Sequence, residues 1–425
     1  MDIATAPKTA RWRKWVEPWY LAYALLGATV AGIAPILLPL AASRNGNIAA
    51  VGLVMAAFNL GGLAAPLWGN LADRYRLHRW LMLGGLLTTA LALAAFPFTN
   101  SLAIWLALAL AQGAGAAAAA TVANLFIVEA HPRAEWDERI GWLQTFYGGG
   151  QVGGLLLAGL LSQTGLRVGL LTAAGLTALA FLPGWLTRAP TNLSSPRPIL
   201  LHPARHAQWS AGSPQPFYHR PSLKALQQVM QSLDSPFVIF LIAWLFSFSG
   251  AVAFFSLYPV LMQQVYGVGP EISSAGFAVA AALGLILYAP AGRWSERFGS
   301  LRVLQAALGV RVLAFLGLFA LGMTHFANRG ALALLGFLFV VLAWSLLSVT
   351  GTALAAQFSP VGEGEGMGIF SAITALAGVI GAAGGGWLAG QWGNSAVAGL
   401  GVVGVAAGLA LSSVITKSKG DKGDK

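Results

Sequence analysis

Twelve long apolar stretches set the first limit on what this chain can fold into. Each has close to the roughly 20 consecutive apolar residues that an α-helix needs to cross a bilayer. The composition agrees, because 57% of the 425 residues are hydrophobic and only 9% are charged, too few charges to cover the surface of a soluble protein. We therefore predict an all-α membrane protein with twelve transmembrane helices, at residues 19–42, 48–71, 80–98, 102–128, 142–161, 168–186, 236–262, 273–294, 303–323, 330–357, 367–388 and 395–416.

The positively charged residues lie almost entirely on one side of this predicted topology. With the amino terminus inside, 21 of the 25 Lys and Arg residues fall in the termini and the inner loops. The outer loops hold three, Arg44, Arg167 and Arg329. An excess of basic residues marks the cytoplasmic side, so we expect a multi-pass protein of the plasma (inner) membrane with both termini cytoplasmic. The net charge of +11 then reflects topology and headgroup contact, and we expect no nucleic-acid partner.

One long hydrophilic stretch divides the twelve spans into two groups of six. It contains seven prolines, which favour an extended first part. Its end, residues 222–233, places apolar side chains on one helical face, as a short helix on the inner membrane surface would; a solvated loop is the alternative. The predicted domains are residues 1–187, an amino-terminal six-helix bundle; 188–235, a cytoplasmic linker; and 236–425, a carboxyl-terminal six-helix bundle with a basic tail.

A charged turn occurs once in each group of six spans. Prolines also recur, with Pro39 near the end of the first span and Pro259 near the end of the seventh. Two related six-helix halves are a known transporter design, with the substrate site between them near the midplane. In the charged turn, glycine, an acid and arginine recur at the same spacing 223 residues later, as Gly69, Asp73 and Arg74 and then as Gly292, Glu296 and Arg297.

On these residues the chain resembles the major facilitator superfamily over its whole length. The family signature between helices 2 and 3 is Gly-x-Leu-Ala-Asp-Arg-x-Gly-Arg-Lys/Arg, and the run from Gly69 to Arg74 matches it. Arg76 stands where the signature has its second glycine, and Arg79 is the residue nearest to the later basic positions. The resemblance implies the twelve-helix fold of that family, with two pseudo-symmetric bundles.

The same resemblance implies a conformational latch. In the family, the aspartate at the position of Asp73 contacts the inner end of helix 11 and stabilises the outward-facing state. An acid beside the amino end of a helix gains about 0.3–1 kcal/mol, enough to shift two nearly balanced states. The alternative is a basic loop that only fixes orientation. The implied latch residues are Gly69, Asp73, Arg74, Arg79, Gly292, Glu296 and Arg297.

Two further family motifs are incomplete in this chain. Helix 4 keeps the glutamine of its motif, as Gln112, and the small residues that follow it. Ala109, however, stands where the family has an arginine associated with proton coupling. This departure weakens the case for proton antiport. Helix 5 carries a degenerate form of the exporter motif Gly-Pro-x-x-Gly-Gly, with Gly150 in place of the proline. Ordinary packing of small residues between membrane helices is the alternative reading of these glycines.

Charged side chains are nearly absent from the central part of the predicted helices. Arg311, in helix 9, is the exception. Helix 9 is peripheral in the family fold, so we expect Arg311 to pair with backbone or neighbouring groups rather than with an anionic substrate. The lining of a transport path must then be neutral and polar or aromatic. The candidates are Tyr23, Thr29, Asn59, Gln112, Tyr147, Gln151, Ser249, Phe254, Tyr288, Trp344, Ser345 and Ser348.

These residues predict a secondary active or facilitative transporter that moves a small, mostly neutral or amphipathic molecule by alternating access. We expect an efflux permease that acts as a monomer in the lipid bilayer. Uptake of a sugar or polyol is the alternative within transport, and a non-transporting sensor or scaffold is the alternative of another class. The sequence contains no cysteine and no visible catalytic or metal-ligand cluster, so we expect no enzyme activity, no cofactor and no bound metal.

Overall fold

The fold of the chain was analysed in a computed structural model, which describes residues 16–44, 47–132, 135–186, 229, 234–324, 328–361 and 363–420. Within those residues the secondary structure is helical, with twelve membrane-length helices. Their bounds are Tyr20–Leu26, Gly27–Ile33 and Ala34–Arg44 (α1); Ile48–Gly62 and Ala65–Tyr75 (α2); His78–Ala95 (α3); Leu102–Ala130 (α4); Trp136–Thr164 (α5); Leu166–Leu179 and Phe181–Trp185 (α6); Pro236–Gln264 (α7); Pro270–Phe298 (α8); Ser300–Gly322 (α9); Arg329–Phe358 (α10); Glu363–Trp392 (α11); and Ala396–Gly420 (α12).

Eleven of these helices are long and apolar enough to cross a membrane by length and composition. The remaining one is α5, whose glycines, glutamines and charged first turn lower its hydropathy although it has 29 residues. It also begins at Trp136, six residues before the predicted start. Acidic residues in the first turn of a helix are favourable, and the exposed Glu138 lies in the part of α5 that precedes its apolar stretch. The twelve-helix prediction is confirmed, with this boundary corrected.

Three helices of the amino-terminal half are interrupted, α1, α2 and, at residue 180, α6. In α1, the residues Gly27–Ile33 form a π-helical segment, a geometry that is frequent at functional sites. In α2, the chain turns at Leu63 and Ala64 and resumes with Pro66 in the first turn of the second segment. Proline lacks the backbone N–H that a continuous helix needs, but it fits the first turn of a new one.

Glycines bring the backbones of α1 and α5 into direct contact. Gly150 of α5 touches the Ala24 carbonyl, and Gly154 touches the Ala28 carbonyl. A Cβ atom added to Gly32 would lie 2.7 Å from the Cα of Gly154. A larger residue at these positions would force the two helices apart, as expected for small-residue contacts between membrane helices.

The second half repeats this contact between α7 and α11. Gly381, the sequence equivalent of Gly154, touches the Ser249 carbonyl, and a Cβ on Gly385 would lie 2.8 Å from the Cβ of Ala253. The equivalent pair of helices thus meets through glycine in both halves, with Gly154 and Gly381 at corresponding positions. This agrees with the predicted duplication. The domain boundaries stay a prediction, because most of residues 188–235, including most of the expected surface helix, lies outside the described residues; Val229 is helical and buried.

The two halves are joined at the end of the molecule opposite the linker, termed here the far end. There the segment Ala34–Arg44 of α1 contacts α7, α2 packs against α11, and α5 packs against α8. A Cβ on Gly52 of α2 would lie 2.6 Å from the Cα of Gly386 in α11. The far-end turn between α7 and α8 is fixed by Tyr266, whose hydroxyl donates to the Leu318 carbonyl at 2.9 Å. Burial raises the pKa of Tyr266 well above its usual range, so this donor stays neutral.

The opposite end, termed the linker end, is organised differently. The segments Tyr20–Leu26 of α1 and Ala65–Tyr75 of α2 make their extensive contacts with helices of their own half. The two halves are therefore held together chiefly at the far end. With the topology expected from the basic residues, this pattern is typical of an inward-facing transporter.

Both copies of the charged turn end at a residue with positive φ, although their ψ angles differ, 37° at Arg76 and 135° at Gly299. Arg76 ends α2 with φ 53°, and Gly299 ends α8 with φ 88°. A left-handed conformation costs a residue with a Cβ atom about 1–2 kcal/mol, but costs glycine little. The repeat extends to the arginine–aromatic pair before each reversal, Arg74 over the Tyr75 ring at 5.4 Å and Arg297 over the Phe298 ring at 5.2 Å.

We predict that Gly52→Ala loosens the far end, because the added methyl group separates α2 from α11. The matched control is Gly62→Ala on the same helix, where a Cβ meets nothing within 4 Å. Spin labels at the exposed residues Arg44 and Gln263, at the ends of α1 and α7, report the separation of the halves. We expect a longer label distance and a lower melting temperature in Gly52→Ala alone. Equal behaviour of the two variants would contradict the contact.

We predict that Arg76→Gly stabilises the protein, since it relieves the left-handed strain at the end of α2. The expected gain in the free energy of unfolding is about 0.5–1 kcal/mol. Arg74→Gly, two residues earlier inside the helix, should cost about 1 kcal/mol. Thermal melting of the purified variants in one detergent measures both, and a loss of stability in Arg76→Gly would refute the explanation.

Candidate transport site

A polar cluster lies inside the amino-terminal half, where α1, α4 and α5 face one another. Tyr23 of α1 directs its hydroxyl toward the amides of Asn124 in α4 and Gln144 in α5. Its ring packs against Tyr147 of α5 at a centroid distance of 4.9 Å. All four side chains are buried. Tyr23, Asn124 and Gln144 are termed the amide cluster.

Most polar atoms of the amide cluster lack a hydrogen-bond partner among the described residues. The Tyr23 hydroxyl lies close to both amides, but neither it, nor the two amide atoms of Gln144, nor Oδ1 of Asn124 forms a hydrogen bond of good geometry. Gln112 lies nearer the middle of α4 and is 0% exposed. Neither atom of its side-chain amide has a hydrogen-bond partner among the described residues. A buried polar group without a partner costs about 1–3 kcal/mol. A polar ligand that enters between the halves can remove that cost, so these side chains are suited to binding.

The predicted residues Thr29 and Gln151 have different surroundings. The Thr29 hydroxyl donates to the carbonyls of Leu25 and Leu26, both at 3.1 Å. It is thus satisfied within the interrupted part of α1. Gln151 is buried and lies seven residues after Gln144, which places both amides on one face of α5.

An aromatic cluster lies in the carboxyl-terminal half, formed by Trp244 and Phe248 of α7 and Trp344 of α10. The Trp244 and Phe248 rings stack at 6.0 Å, and Trp344 lies 5.2 Å from Phe248 and 6.2 Å from Trp244. Trp244 Nε1 donates to the Thr374 hydroxyl at 2.9 Å. The indole Nε1 of Trp344 is buried and has no partner among the described residues. The cluster offers apolar faces and one free donor.

Three predicted residues adjoin the aromatic cluster. The Tyr288 hydroxyl of α8 lies beside Ser348 and Trp344 of α10. Ser348 donates to the Ser345 carbonyl at 3.1 Å, and the Ser345 hydroxyl donates to the Gly284 carbonyl of α8 at 3.0 Å. The Ser345 hydroxyl therefore ties α10 to α8, whereas the Ser348 hydroxyl is satisfied within α10, and Tyr288 completes the wall.

The other predicted residues of the path lie apart from the two clusters. Asn59 Nδ2 lies 3.4 Å from the Gly378 carbonyl, so it bridges α2 and α11. Phe254 is fully buried, with its ring 6.2 Å from that of Phe337, and its surroundings are those of a packing residue. The Ser249 hydroxyl is buried without a described partner. The roles of all these residues in transport stay predictions.

Arg311 does not have the partner that the sequence analysis expected. It is 1% exposed, and the described residues provide neither an ion pair nor a hydrogen bond to its guanidinium. It faces two aromatic rings instead, Trp344 at 5.7 Å and Phe255 at 6.0 Å. A cation–π contact contributes about 0.5–2 kcal/mol, whereas desolvation of a buried ion costs several. The charge is thus only partly compensated, and it points inward although α9 lies at the edge of the bundle.

The latch residues lie at the linker end, and their role as a conformational latch stays a prediction. The Asp73 side chain lies outside the described residues. Arg79 donates to the Trp185 carbonyl at 2.7 Å and so ties α3 to α6. A Cβ on Gly69 would meet the Thr121 methyl group at 3.7 Å. The corresponding residues of the second half lie in the last two turns of α8, with two of them exposed: Gly292, Glu296 and Arg297.

An ion network at the linker end was not foreseen. Glu17, just before α1, accepts from His131 at 2.7 Å and from Arg139 at 3.1 Å. Arg139 also pairs with Glu135 at 3.0 Å. The network ties the beginning of α1 to the end of α4 and the beginning of α5. Only the i, i+4 spacing of Glu135 and Arg139 indicated it in the sequence.

The sequence analysis also missed Asn124, Gln144 and Trp244. Gln144 lay near the edge of a span predicted to begin at residue 142, whereas the helix begins at Trp136. Its spacing of seven from Gln151 was the available signal, because residues seven apart share a helix face. Asn124 and Trp244 lie toward the linker end of α4 and α7, away from the midplane where candidates were sought.

Two related six-helix halves, joined at one end and carrying buried polar and aromatic side chains in their interiors, define a membrane transporter. The chain belongs to the Major Facilitator Superfamily, whose sequence profile matches residues 19–363. This confirms the family resemblance and identifies a multi-pass membrane transporter rather than an enzyme. No curated protein sequence matches the chain.

Solved structures of transporters share the fold. The nucleoside transporter NupG is 12% identical, with a TM-score of 0.71, and the match covers 94% of this chain and 96% of NupG. A D-xylose-proton symporter is 14% identical, with a TM-score of 0.67 and coverage of 94% and 95%. A bacterial homolog of the human lysosomal transporter Spinster, inward-facing and unoccupied, is 16% identical, with a TM-score of 0.65 and coverage of 97% and 99%. At these identities the likeness confirms the predicted fold.

We predict that Gln112→Leu leaves the melting temperature unchanged or raises it, because neither amide atom has a partner to lose. Gln305→Leu is the matched control, since Gln305 Nε2 donates to the Ser412 carbonyl at 3.0 Å. Removing that bond should cost about 0.5–1.5 kcal/mol. The melting temperatures of both variants test this prediction. A Gln112→Leu variant that is as unstable as the control would show that Gln112 has a structural role.

Proposed function

We propose that this chain is a secondary transporter that exports a small, mostly neutral or amphipathic molecule across the inner membrane by alternating access. The observation that carries the proposal is the pairing of unpartnered amides in one half with aromatic faces in the other. Amides can bind a neutral polar group, and aromatic rings can bind an apolar body. The halves are joined at the far end, so a molecule would reach this space from the linker end.

The direction of transport rests on α5. The degenerate exporter motif supplies Gly150 and Gly154, both of which touch α1. These glycines support close packing of α1 on α5, which any transporter of this design needs. The proposal of export rests on the resemblance of this α5 motif to that of family exporters.

The latch at Asp73 completes the proposed cycle. In the outward-facing state the linker end would close, and the Asp73 carboxylate would approach the amino end of α11. That contact is worth about 0.3–1 kcal/mol, which can bias two states of similar free energy. The protein would work as a monomer, with both termini in the cytoplasm.

Coupling to an ion gradient has little support in the described helices. Their central turns carry no carboxylate, and Ala109 replaces the arginine that the family associates with proton coupling. A membrane-embedded proton carrier is usually a buried acid. We therefore propose facilitated diffusion, or coupling through the charge of the substrate itself.

Uptake of a sugar or polyol is the second candidate. The unpartnered amides of Gln112 and Gln144 favour it, because each hydroxyl of a sugar needs a hydrogen-bond partner. Two of the similar structures are described as a nucleoside transporter and a D-xylose-proton symporter. The aromatic cluster argues for a more apolar molecule. A sensor or scaffold without transport is the remaining alternative.

The decisive experiment measures flux in proteoliposomes loaded with neutral amphipathic compounds, sugars and nucleosides. We expect efflux of an amphipathic compound, with a rate at least about tenfold lower in Trp344→Ala, as for the loss of an aromatic hot spot. Trp387→Ala is the matched control, because Trp387 is 58% exposed on α11.

Further outcomes separate the alternatives. Selective flux of sugars would favour uptake. Absence of flux from folded protein across the whole panel would refute transport. A rate and final accumulation that survive collapse of the pH gradient would support uncoupled transport, whereas strict dependence on the gradient would refute it.

A further inference from the structure

The least compensated charge that the structure describes lies in the middle of α9. Arg311 is 1% exposed and is bounded by the rings of Trp344 and Phe255. Its Nε atom is buried without a hydrogen-bond partner. A buried cation normally has a counter-ion, because desolvation makes an unpaired charge costly.

No carboxylate in the described part of the chain is placed to supply that counter-ion. All 14 acidic residues lie in the termini, the linker, the loops, or the first or last turns of helices. Arg311 lies eleven residues from each end of Ser300–Gly322, which is about 16 Å along the helix axis. Glu271 and Glu296, for example, lie at opposite ends of the neighbouring helix α8. The described residues therefore leave room for an anion from outside the chain to pair with Arg311.

A second free donor lies next to Arg311. The Trp344 indole Nε1 is buried and forms no hydrogen bond of good geometry, although the Tyr288 hydroxyl lies beside it, and the Trp344 ring centroid is 5.7 Å from the guanidinium carbon. A guanidinium presents a planar fork of N–H groups that matches a carboxylate with two parallel hydrogen bonds. The Trp344 ring also belongs to the aromatic cluster with Trp244 and Phe248. Donors for an anion and a surface for an apolar body are thus adjacent.

We propose that Arg311 and Trp344 form a binding site for the carboxylate group of an amphipathic organic acid, whose apolar body packs on the aromatic cluster. This inference rests on the proposed transport function and narrows its substrate class. The ligand supplies the counter-ion that the described residues do not provide. It also gives a physical form to coupling through substrate charge, since the transported molecule carries the charge across the membrane.

The melting temperature of an Arg311 variant distinguishes a binding role of this residue from a structural role. If Arg311 held the bundle together, its removal would destabilise the protein. If Arg311 instead binds an external anion, Arg311→Met removes an uncompensated charge, and the unliganded variant melts at or above the wild-type temperature. Functional residues commonly carry such a stability cost. Arg302→Met is the matched control, because Arg302 lies exposed near the beginning of the same helix.

The test compares three acids with their neutral amides: 1-naphthoate with 1-naphthamide, 4-phenylbutyrate with 4-phenylbutyramide, and decanoate with decanamide. Binding to the full-length protein in detergent is followed by melting temperature and by quenching of tryptophan fluorescence. We expect at least one acid to bind wild type more tightly than its amide. Its affinity should fall at least about 30-fold in Arg311→Met, as for the loss of one partner of a buried charge pair. Arg302→Met should match wild type, and Arg311→Lys should be intermediate.

Three results would overturn the proposal. These are equal binding of every acid and its amide, an acid preference that survives in Arg311→Met, and an unliganded Arg311→Met variant that melts well below wild type or fails to fold. Flux of the same compounds in proteoliposomes separates this inference from the proposed function. Transport of the amides that does not depend on Arg311 would refute this inference but not the transport function. Binding of an acid without any flux would refute the transport function but not this inference.

Discussion

Contact between helix backbones at glycine is the interaction on which the rest of this structure depends. Lipid tails are as apolar as leucine side chains, so burial of apolar surface does not draw membrane helices together as it does in water. Close approach at small residues supplies dispersion contacts instead. Gly150 and Gly154 hold α5 on α1, Gly381 and Gly385 hold α11 on α7, and the pair of Gly52 and Gly386 joins the two halves. The first two contacts fix each bundle, whereas the third must open in a transport cycle.

Because the protein lies in a bilayer, buried side-chain polar atoms without a hydrogen-bond partner indicate where a ligand can bind. Backbone groups are satisfied within each helix, and hydroxyls such as those of Thr29 and Ser348 bond to carbonyls of their own helix. Gln112, Gln144 and Arg311 have no such local solution among the described residues. Each adds a cost that packing must offset. Side chains that raise the energy of the unliganded protein are the ones whose binding to a ligand changes it most.

The elements that sequence predicted well are those set by length, composition and repeated spacing. The twelve helices follow from apolar length, and the equivalence of Arg76 and Gly299 follows from the spacing of the charged turn, while their shared positive φ is a finding of the structure. The site was less accessible. Gln144 was hidden by a boundary error that arose because glycine and glutamine lower the hydropathy of α5. The inward orientation of Arg311 depends on how α9 is rotated against α10 and α12. A helix position fixes the depth of a side chain, but packing fixes the direction in which it points.

The two halves present unlike chemistry, and this asymmetry matters for alternating access. The amide cluster of the amino-terminal half offers neutral donors and acceptors, while the other half offers aromatic faces beside a cation. In the proposed cycle, a molecule that touches one half alone gains only part of its binding free energy, and that part does not distinguish the two conformations. A molecule that bridges both halves favours the closed arrangement between them, because only there are both sets of contacts made. A ligand shifts such an equilibrium only by its difference in affinity for the two states. The division of the site between the halves is therefore what would let a small molecule drive the opening of the contact between Gly52 and Gly386 at the far end.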